Sequence, residues 1–375
     1  MTVEIREVVT RSEIKRFVEF QNNLYRDNKY FIPALLGDEI DTLSKDKNPA
    51  FERCEAVYFM AYVDGRAVGR IAGIINHLVN EKDGAKRARF GYVDFIDNAE
   101  VVDALFDAVE QWARTKGMNE IHGPLGFSDM DPEGMLVEGF DQEGTMVAIY
   151  NHPYYVDHVA RLGFVKDADW VEYKIQIPAE VPERHKRIAE IVAEKYDLRV
   201  VKYTNRKQLV ADYGVKLFTL VNEAYNSLYG YSPLTVNQIQ HYIDLYLPML
   251  RLENLVLVVD KEGELIGMAV GMPSIAKALQ RSRGKLFPFG FIHLLRALWG
   301  KNDVAELLLI AVKPEYQSKG VNALIFNDII PTFNRNGYRY AESNPELELN
   351  LKVQNQWQHL ERVQHKRRRA FVKSL

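Results

Sequence analysis

The sequence predicts an α/β protein made of two similar halves. Three observations carry this. The chain has 375 residues, more than one core of ordinary size accommodates. Turn, helix, glycine cap and closing strand recur in the same order in both halves. Strand-like apolar runs alternate with amphipathic helical stretches throughout.

The hairpin comes first. "DGRAVGRIAGIIN" (64–76) and "EGELIGMAVGMPS" (262–274) share one pattern: an acid-Gly turn, an apolar-Gly pair, then an apolar run. Each follows an apolar stretch, "VYFMAYV" or "LVLVVD", so each reads as two strands about a tight turn. The helix comes next. "DNAEVVDALFDAVEQWARTKG" (97–117) aligns with "QSKGVNALIFNDIIPTFNRNG" (317–337) without a gap. Val101 matches Val321, Leu105 Ile325, Phe106 Phe326, Val109 Ile329 and Gly117 Gly337. That stripe is one buried helical face ending at a glycine cap. Strands "NEIHGPL" and "YRYAES" follow, and each half closes with a helix and a last strand, ending in "WVEYKI" and "RRRAFVK". The division falls after Pro178, giving 1–178 and 179–375, with 182–196 as an amphipathic connecting helix and an insertion at about 275–302 in the second half.

Composition excludes several classes. The chain is 47% hydrophobic and 26% charged with a net charge of −3, so nothing global points to nucleic acid. One cysteine, Cys54, rules out an internal disulfide framework and suits a reducing cytosol. The first residues, "MTVEIREVVT", have neither a basic nor an apolar leader region, and the expected location is cytoplasmic. The longest apolar run, "LFPFGFIHLLRALW" (286–299), is too short for a transmembrane segment; it reads as domain packing, a lid or an acyl groove. The basic "HKRRRAF" reads as a solvated strand face, and His122, His152 and His158 show no metal-ligand spacing, so no metal is expected.

The informative stretch is "VKPEYQSKGVNALIFNDI" (312–329). A strand ends, Gln317-Ser318-Lys319-Gly320 follows, and a helix begins. The first N–H groups of a helix lack intrahelical partners and its dipole is positive there, so this turn is a candidate anion site. At the matching place the first half has Asp97 and Glu100, a self-capping Asp-x-x-Glu pattern whose carboxylates repel a diphosphate.

The order of elements, with Gln317-Ser-Lys-Gly320-Val321-Asn322-Ala323-Leu324 between a strand and a helix, resembles the GNAT acyltransferase superfamily. The whole chain is similar to bacterial tandem GNAT-like proteins. The resemblance implies two tandem GNAT-like domains, each a mixed, splayed central sheet flanked by helices. The first is a degenerate copy without the CoA loop. In the second, acetyl-CoA or another acyl-CoA is held by residues 317–323, namely Gln317, Ser318, Lys319, Gly320, Val321, Asn322 and Ala323. Asn322 stands where the family pattern has a small residue. The implied activity is N-acyl transfer, most simply N-acetyl transfer, to a small-molecule or peptide amine. An aminoacyl or fatty-acyl transferase, or a silent GNAT-fold binding module, are the alternatives. Backbone N–H groups of Ile310, Ala311 or Val312 would polarise the thioester. Glu306, on the parity of Leu308, Ile310 and Val312, or Glu342 would act as base. Tyr316, or the cluster Tyr225, Tyr229 and Tyr231, would supply the acid.

Overall fold

The computed structural model describes residues 2–375. The first half contains β1 (Glu4–Glu7), α1 (Arg11–Leu24), α2 (Leu36–Thr42), β2 (Cys54–Val63), β3 (Arg66–Asn76), α3 (His77–Asp83), β4 (Arg87–Phe95), α4 (Ala99–Thr115), β5 (Glu120–Gly123), β6 (Met135–Glu138), α5 (Tyr154–Arg161) and β7 (Val165–Gln176). The second contains α6 (Glu183–Tyr196), β8 (Arg199–Val201), α7 (Arg206–Leu209), α8 (Val215–Tyr225), α9 (Val236–Tyr246), β9 (Leu255–Val259), β10 (Leu265–Pro273), α10 (Ala276–Ser282), α11 (Gly290–Trp299), β11 (Val304–Val312), α12 (Val321–Arg335), β12 (Tyr340–Ser343), β13 (Glu346–Leu347), α13 (Leu351–Gln354) and β14 (Arg362–Ser374).

The matched helices α4 and α12 bury the stripe read from sequence: Val101, Leu105, Phe106 and Val109 in one, Val321, Ile325, Phe326 and Ile329 in the other. Gly117 and Gly337 follow them with φ of 75° and 80°, a conformation that favours glycine. The hairpin glycines explain why both helices sit so close to the sheet. A Cβ on Gly69 would lie 2.6 Å from Leu105 of α4, and one on Gly271 would lie 2.7 Å from Phe333 of α12.

The strands do not form two separate sheets. They form one 14-stranded sheet in the order β1-β2-β3-β4-β5-β14-β7-β12-β11-β10-β9-β8, with β6 and β13 attached beside β14 and β7. The last strand of each half therefore inserts next to the other half. β14 pairs with β5 through Phe371–Ser374 and Gly123–Glu120, and β7 pairs with β12 through Lys174–Gln176 and Glu342–Tyr340. β7 and β14 pair with each other, antiparallel, from Arg362 opposite Ile175 to Val372 opposite Val165.

This exchange corrects the reading of the basic C-terminal run as a solvated face. Lys366 and Arg368 are each only 1% exposed, and both bind Glu172, which is fully buried. Lys366 Nζ lies 3.0 Å from one Glu172 oxygen and Arg368 Nε 2.5 Å from the other. Arg367 and Arg369, of opposite parity, bond Asp169 nearer the surface.

The insertion joins the halves on one side only. Gln280 of α10 donates to the carbonyls of Lys29 and Phe31, and Leu36 N–H donates to Gly284 O (2.8 Å). α11 packs inward through Leu294, Ala297 and Leu298, and its other face is exposed. No helix among the described residues is long and apolar enough to cross a membrane.

Candidate active site

The central feature is the separation of two neighbouring parallel strands. β11 and β12 pair only from Val304–Leu307 against Tyr340–Ser343. β11 continues to Val312, whereas the chain after Ser343 turns away to pair β13 with β7. Asn344 Nδ2 donates to Leu308 O (2.5 Å) and closes the deep end of the split.

Register decides which backbone groups face the opening. Lys313 N–H donates to Ile266 O of the neighbouring strand (2.9 Å). Alternation turns Ala311 the same way, into the ladder with β10, and leaves the N–H groups of Ile310 and Val312 toward the split. Their carbonyls confirm the direction. Ile310 O accepts from Tyr225 Oη (2.8 Å) and Val312 O from Gln317 Nε2 (3.3 Å).

The split opens into a cavity of ≈ 1290 Å³. One end is the 316–322 turn. Ser318 (φ 60°) and Gly320 (φ 86°) are both left-handed, a conformation that gathers N–H groups into an anion-binding concavity. α12 has no side-chain cap. In this turn, Lys319 and Ala323 N–H have backbone acceptors, whereas those of Ser318, Gly320, Val321 and Asn322 have none among the described residues. The side chains contribute less than the sequence suggests. The Gln317 amide turns back to its own strand, Lys319 Nζ lies over the rings of Tyr196 and Tyr316, and Ala323 is buried outside the cavity wall. Gly320 has a packing reason to be glycine, since a Cβ there would meet Ile188 of α6 at 2.9 Å. The turn fits a diphosphate through its backbone.

Two expected bases lie elsewhere. A β-bulge at Leu308, where Val270 pairs Leu309 and Gly271 pairs Leu307, breaks the parity on which Glu306 was placed. Glu306 is 1% exposed, accepts from Ser274 Oγ (2.6 Å) and does not line the cavity. Burial pushes its carboxyl up to about 7. Glu342 sits opposite Glu306 in the ladder and approaches His365 at 2.8 Å and Lys366 at 3.8 Å, so it belongs to the buried polar seam at the strand exchange.

A carboxylate that does line the cavity on the side of the second half is Glu346, at the start of β13. It is about nine-tenths buried; one oxygen accepts from Trp357 Nε1 (2.7 Å), and the other has no hydrogen-bond partner among the described residues. Burial raises it to about 7. Tyr225, also on the wall, is pushed by burial up to about 12 and keeps its proton. Tyr316 lines the cavity at the turn, beside Lys319.

The opposite wall comes from the first half. The loop after β5 carries Asp129, Asp131 and Glu133, all half-buried at the cavity. Ser232 N–H donates to Asp129 (2.9 Å) and Ser128 N–H to Asp131 (2.9 Å). Burial lifts Asp131 to about 6, against the N–H groups of Ser128 and Phe127 and the nearby Arg89. Burial, with the Asp129 charge beside it, holds Glu133 well above the ordinary carboxylate range. Arg89 ties this loop to the second half by donating to Gly126 O (2.9 Å) and Gly230 O (2.8 Å). Between the acids and the split the wall is apolar, with Leu217, Phe218, Leu247, Leu250, Met268 and Val270. No group of three or more His, Cys, Asp or Glu residues among those described is arranged to hold a metal ion.

Sequence reasoning missed Glu346 and the acidic loop. "SDMDPEG" was visible as three acids about a Pro-Gly turn, but it lies in the half without the phosphate-type turn. Glu346 gives no local signal; its neighbours come from β7 and from Trp357.

The first-half counterpart of the turn differs in detail from its reading. Asn98, not Asp97, caps α4 by accepting from Val101 N–H (3.1 Å), and Asp97 binds His158 (2.8 Å).

No protein-family model matches the chain. It is 27% identical over 377 residues to protein YghO of Escherichia coli (strain K12), spanning 99% of this chain and 95% of that one. It is 28% identical over 314 residues to a bacterial ceramide synthase of Caulobacter vibrioides, spanning 83% and 80%. Among solved structures, a tandem GNAT protein from the clavulanic acid biosynthesis pathway superimposes over 100% of this chain and 98% of its own, with a TM-score of 0.55 and 13% identity. With its two matched halves and one splayed, open strand pair, this chain has the fold of the tandem GNAT proteins.

Proposed function

We propose that the protein is an acyl-CoA-dependent N-acyltransferase acting on an apolar amine, with one CoA site, in the second half. The observation that carries this reading is the split between β11 and β12. It presents the Ile310 and Val312 N–H groups to the same cavity as the uncapped α12 terminus and the unpartnered oxygen of Glu346.

The roles follow from placement. The N–H groups of Ser318, Gly320, Val321 and Asn322 bind the diphosphate of the acyl-CoA substrate. Ile310 and Val312 N–H polarise the thioester carbonyl, where charge develops. The acceptor enters as an ammonium, attracted by Asp129 and Asp131. Glu346 takes one proton from it, a task suited to a carboxyl poised near 7. The amine nitrogen then attacks the carbonyl carbon, the C–N bond forms and the C–S bond breaks. Tyr225 gives its proton to the departing thiolate and regains one from the nitrogen. Tyr316 orients the donor at the turn.

The apolar wall and the cavity size favour long-chain substrates. At ≈ 1290 Å³ the cavity exceeds the ordinary range of about 300–1,000 Å³ for one small ligand. A ceramide is the fatty amide of a long-chain amino alcohol, and the similarity to a bacterial ceramide synthase supports the same substrate class here. The test is thiol release by the purified protein with acyl-CoA donors of graded length and an amine panel. Amine-dependent release, fastest with long-chain amines, is expected. Acyl-CoA binding with no release for any amine would replace this reading with that of a silent binding module.

A further inference from the structure

Among the described residues, the insertion between β10 and β11 gathers more exposed large apolar side chains than any other short stretch. Phe287 is 78% exposed, Phe289 69%, Trp299 51%, Leu295 50% and Phe291 39%. Phe291, Leu295 and Trp299 follow one another at four-residue spacing along the outer face of α11, and the Phe287 ring lies 6.1 Å from that of Phe291. The inner face is anchored by Leu294, Ala297 and Leu298. The C-terminal end is pinned as well. Arg251 donates to Leu298 O (2.6 Å) and Gly300 O (3.0 Å), with its guanidinium 5.8 Å from the Trp299 ring. A Cβ on Gly290 would strike Lys285 O at 1.7 Å, so the 285–290 turn is folded tightly back. The apolar face is thus held outward by its supports.

Charge says what covers it. Between Ile275 and Asn302 there are six basic residues (Lys277, Arg281, Arg283, Lys285, Arg296 and Lys301) and no acidic one, in a chain whose net charge is −3. All six are exposed. The acidic groups facing the insertion from neighbouring elements are few: Glu19, 3.5 Å from Lys285, Asp303, which acts on Lys277, and Glu253 beside Arg251. Aromatic and leucine side chains framed by cations are the composition of an element that lies in a lipid–water interface, with rings at headgroup depth and cations on anionic headgroups.

We propose that residues 276–301 dock the protein on the surface of an anionic lipid bilayer. Phe287, Phe289, Phe291, Leu295 and Trp299 enter the headgroup–acyl boundary, and the six cations lie on the phosphates. The inner face of α11 packs on the same core as Leu247, Leu250 and Met268 of the cavity wall, so docking brings the apolar end of the cavity toward the bilayer. The docking itself does not rest on the proposed reaction.

The experiment is flotation of the full-length protein with vesicles of phosphatidylcholine alone or with about 30% phosphatidylglycerol, at low and high salt. Binding to the anionic vesicles, at least about tenfold stronger than to neutral ones and weakened by salt, is expected. Two variants separate the contributions: Phe287→Ser/Phe289→Ser/Trp299→Ser and Arg281→Glu/Arg296→Glu, all at exposed side chains. Each should lower binding at least about tenfold at unchanged Tm. Absence of binding to anionic vesicles, or binding that neither variant changes, overturns the proposal. So does a dimer in sedimentation that the aromatic variant dissociates, which would assign the face to a second copy of the chain.

Discussion

The two halves split their central sheets at the same place, and they treat the split differently. In the first half β4 and β5 pair from Arg87–Arg89 against Glu120–His122 and then diverge. The chain itself fills the gap. Leu125 N–H donates to Phe90 O (2.9 Å), and Gly91 lacks a Cβ at a point 2.3 Å from Leu125 O. In the second half the chain leaves after Ser343 and only the Asn344 side chain reaches across, so Ile310 and Val312 keep open N–H groups. The helix beyond each split repeats the contrast, since α4 is capped by Asn98 and α12 has no side-chain cap. One fold thus yields a plugged copy and an open copy, and the plugged copy serves the open one. Its plug continues into the Asp129–Glu133 loop that walls the cavity.

The largest expected effect tests whether the halves are separate at all. Glu172→Gln leaves Lys366 and Arg368 buried without their carboxylate and should cost about 3–5 kcal/mol, melting both halves in one transition. Two transitions in calorimetry, with only one shifted, would show that the strand exchange does not couple them. Burial raises the Glu172 carboxyl, but Arg368 and Lys366 outweigh it and hold it at about 2. Its contribution is therefore present above the unfolded value near 4.5 and is lost as pH falls toward 2. The variant should lose most of its deficit in acid.

Next is the proposed base. Glu346→Gln should lower kcat about 100- to 1,000-fold with little change in acyl-CoA affinity. In the parent protein kcat/KM should rise with pH through about 7, because the carboxylate form is the active one and burial holds it to that pH. The variant should lack that limb. Glu306→Gln, behind the Leu308 bulge, should keep it. A limb retained in Glu346→Gln and lost in Glu306→Gln would return the role to the residue read from sequence.

A smaller effect separates the two helix termini. Asn322→Glu puts a carboxylate at the open turn and should weaken acyl-CoA binding about 10- to 100-fold, with Tm nearly unchanged. Calorimetry on the parent should give one acyl-CoA per chain; two would mean the Leu125 plug opens. The smallest effect is at the plugged copy. Asn98→Ala removes the α4 cap and should cost about 1 kcal/mol of stability, leaving acyl-CoA binding as it was.

Much of this architecture is written locally. Helix stripes, glycine caps, the acid-Gly hairpins and the turn at 317–323 depend on neighbours a few residues apart, so periodicity and turn chemistry identify them. The pairing of the two halves was legible for the same reason, since two copies of a local pattern can be laid side by side. Three things were decided only by tertiary contacts. The single-residue bulge at Leu308 reverses the face of Glu306, and no local pattern marks it. The exchange of β7 and β14 buries Lys366 and Arg368 against Glu172, which is 194 residues from Lys366. The environment that raises Glu346 is assembled from Trp357, β7 and the cavity wall. Burial and long-range partners set which face a charge occupies and where its proton sits. The sequence by itself determined the elements and their repetition, and the packing of one half against the other decided which of the two splits stays open.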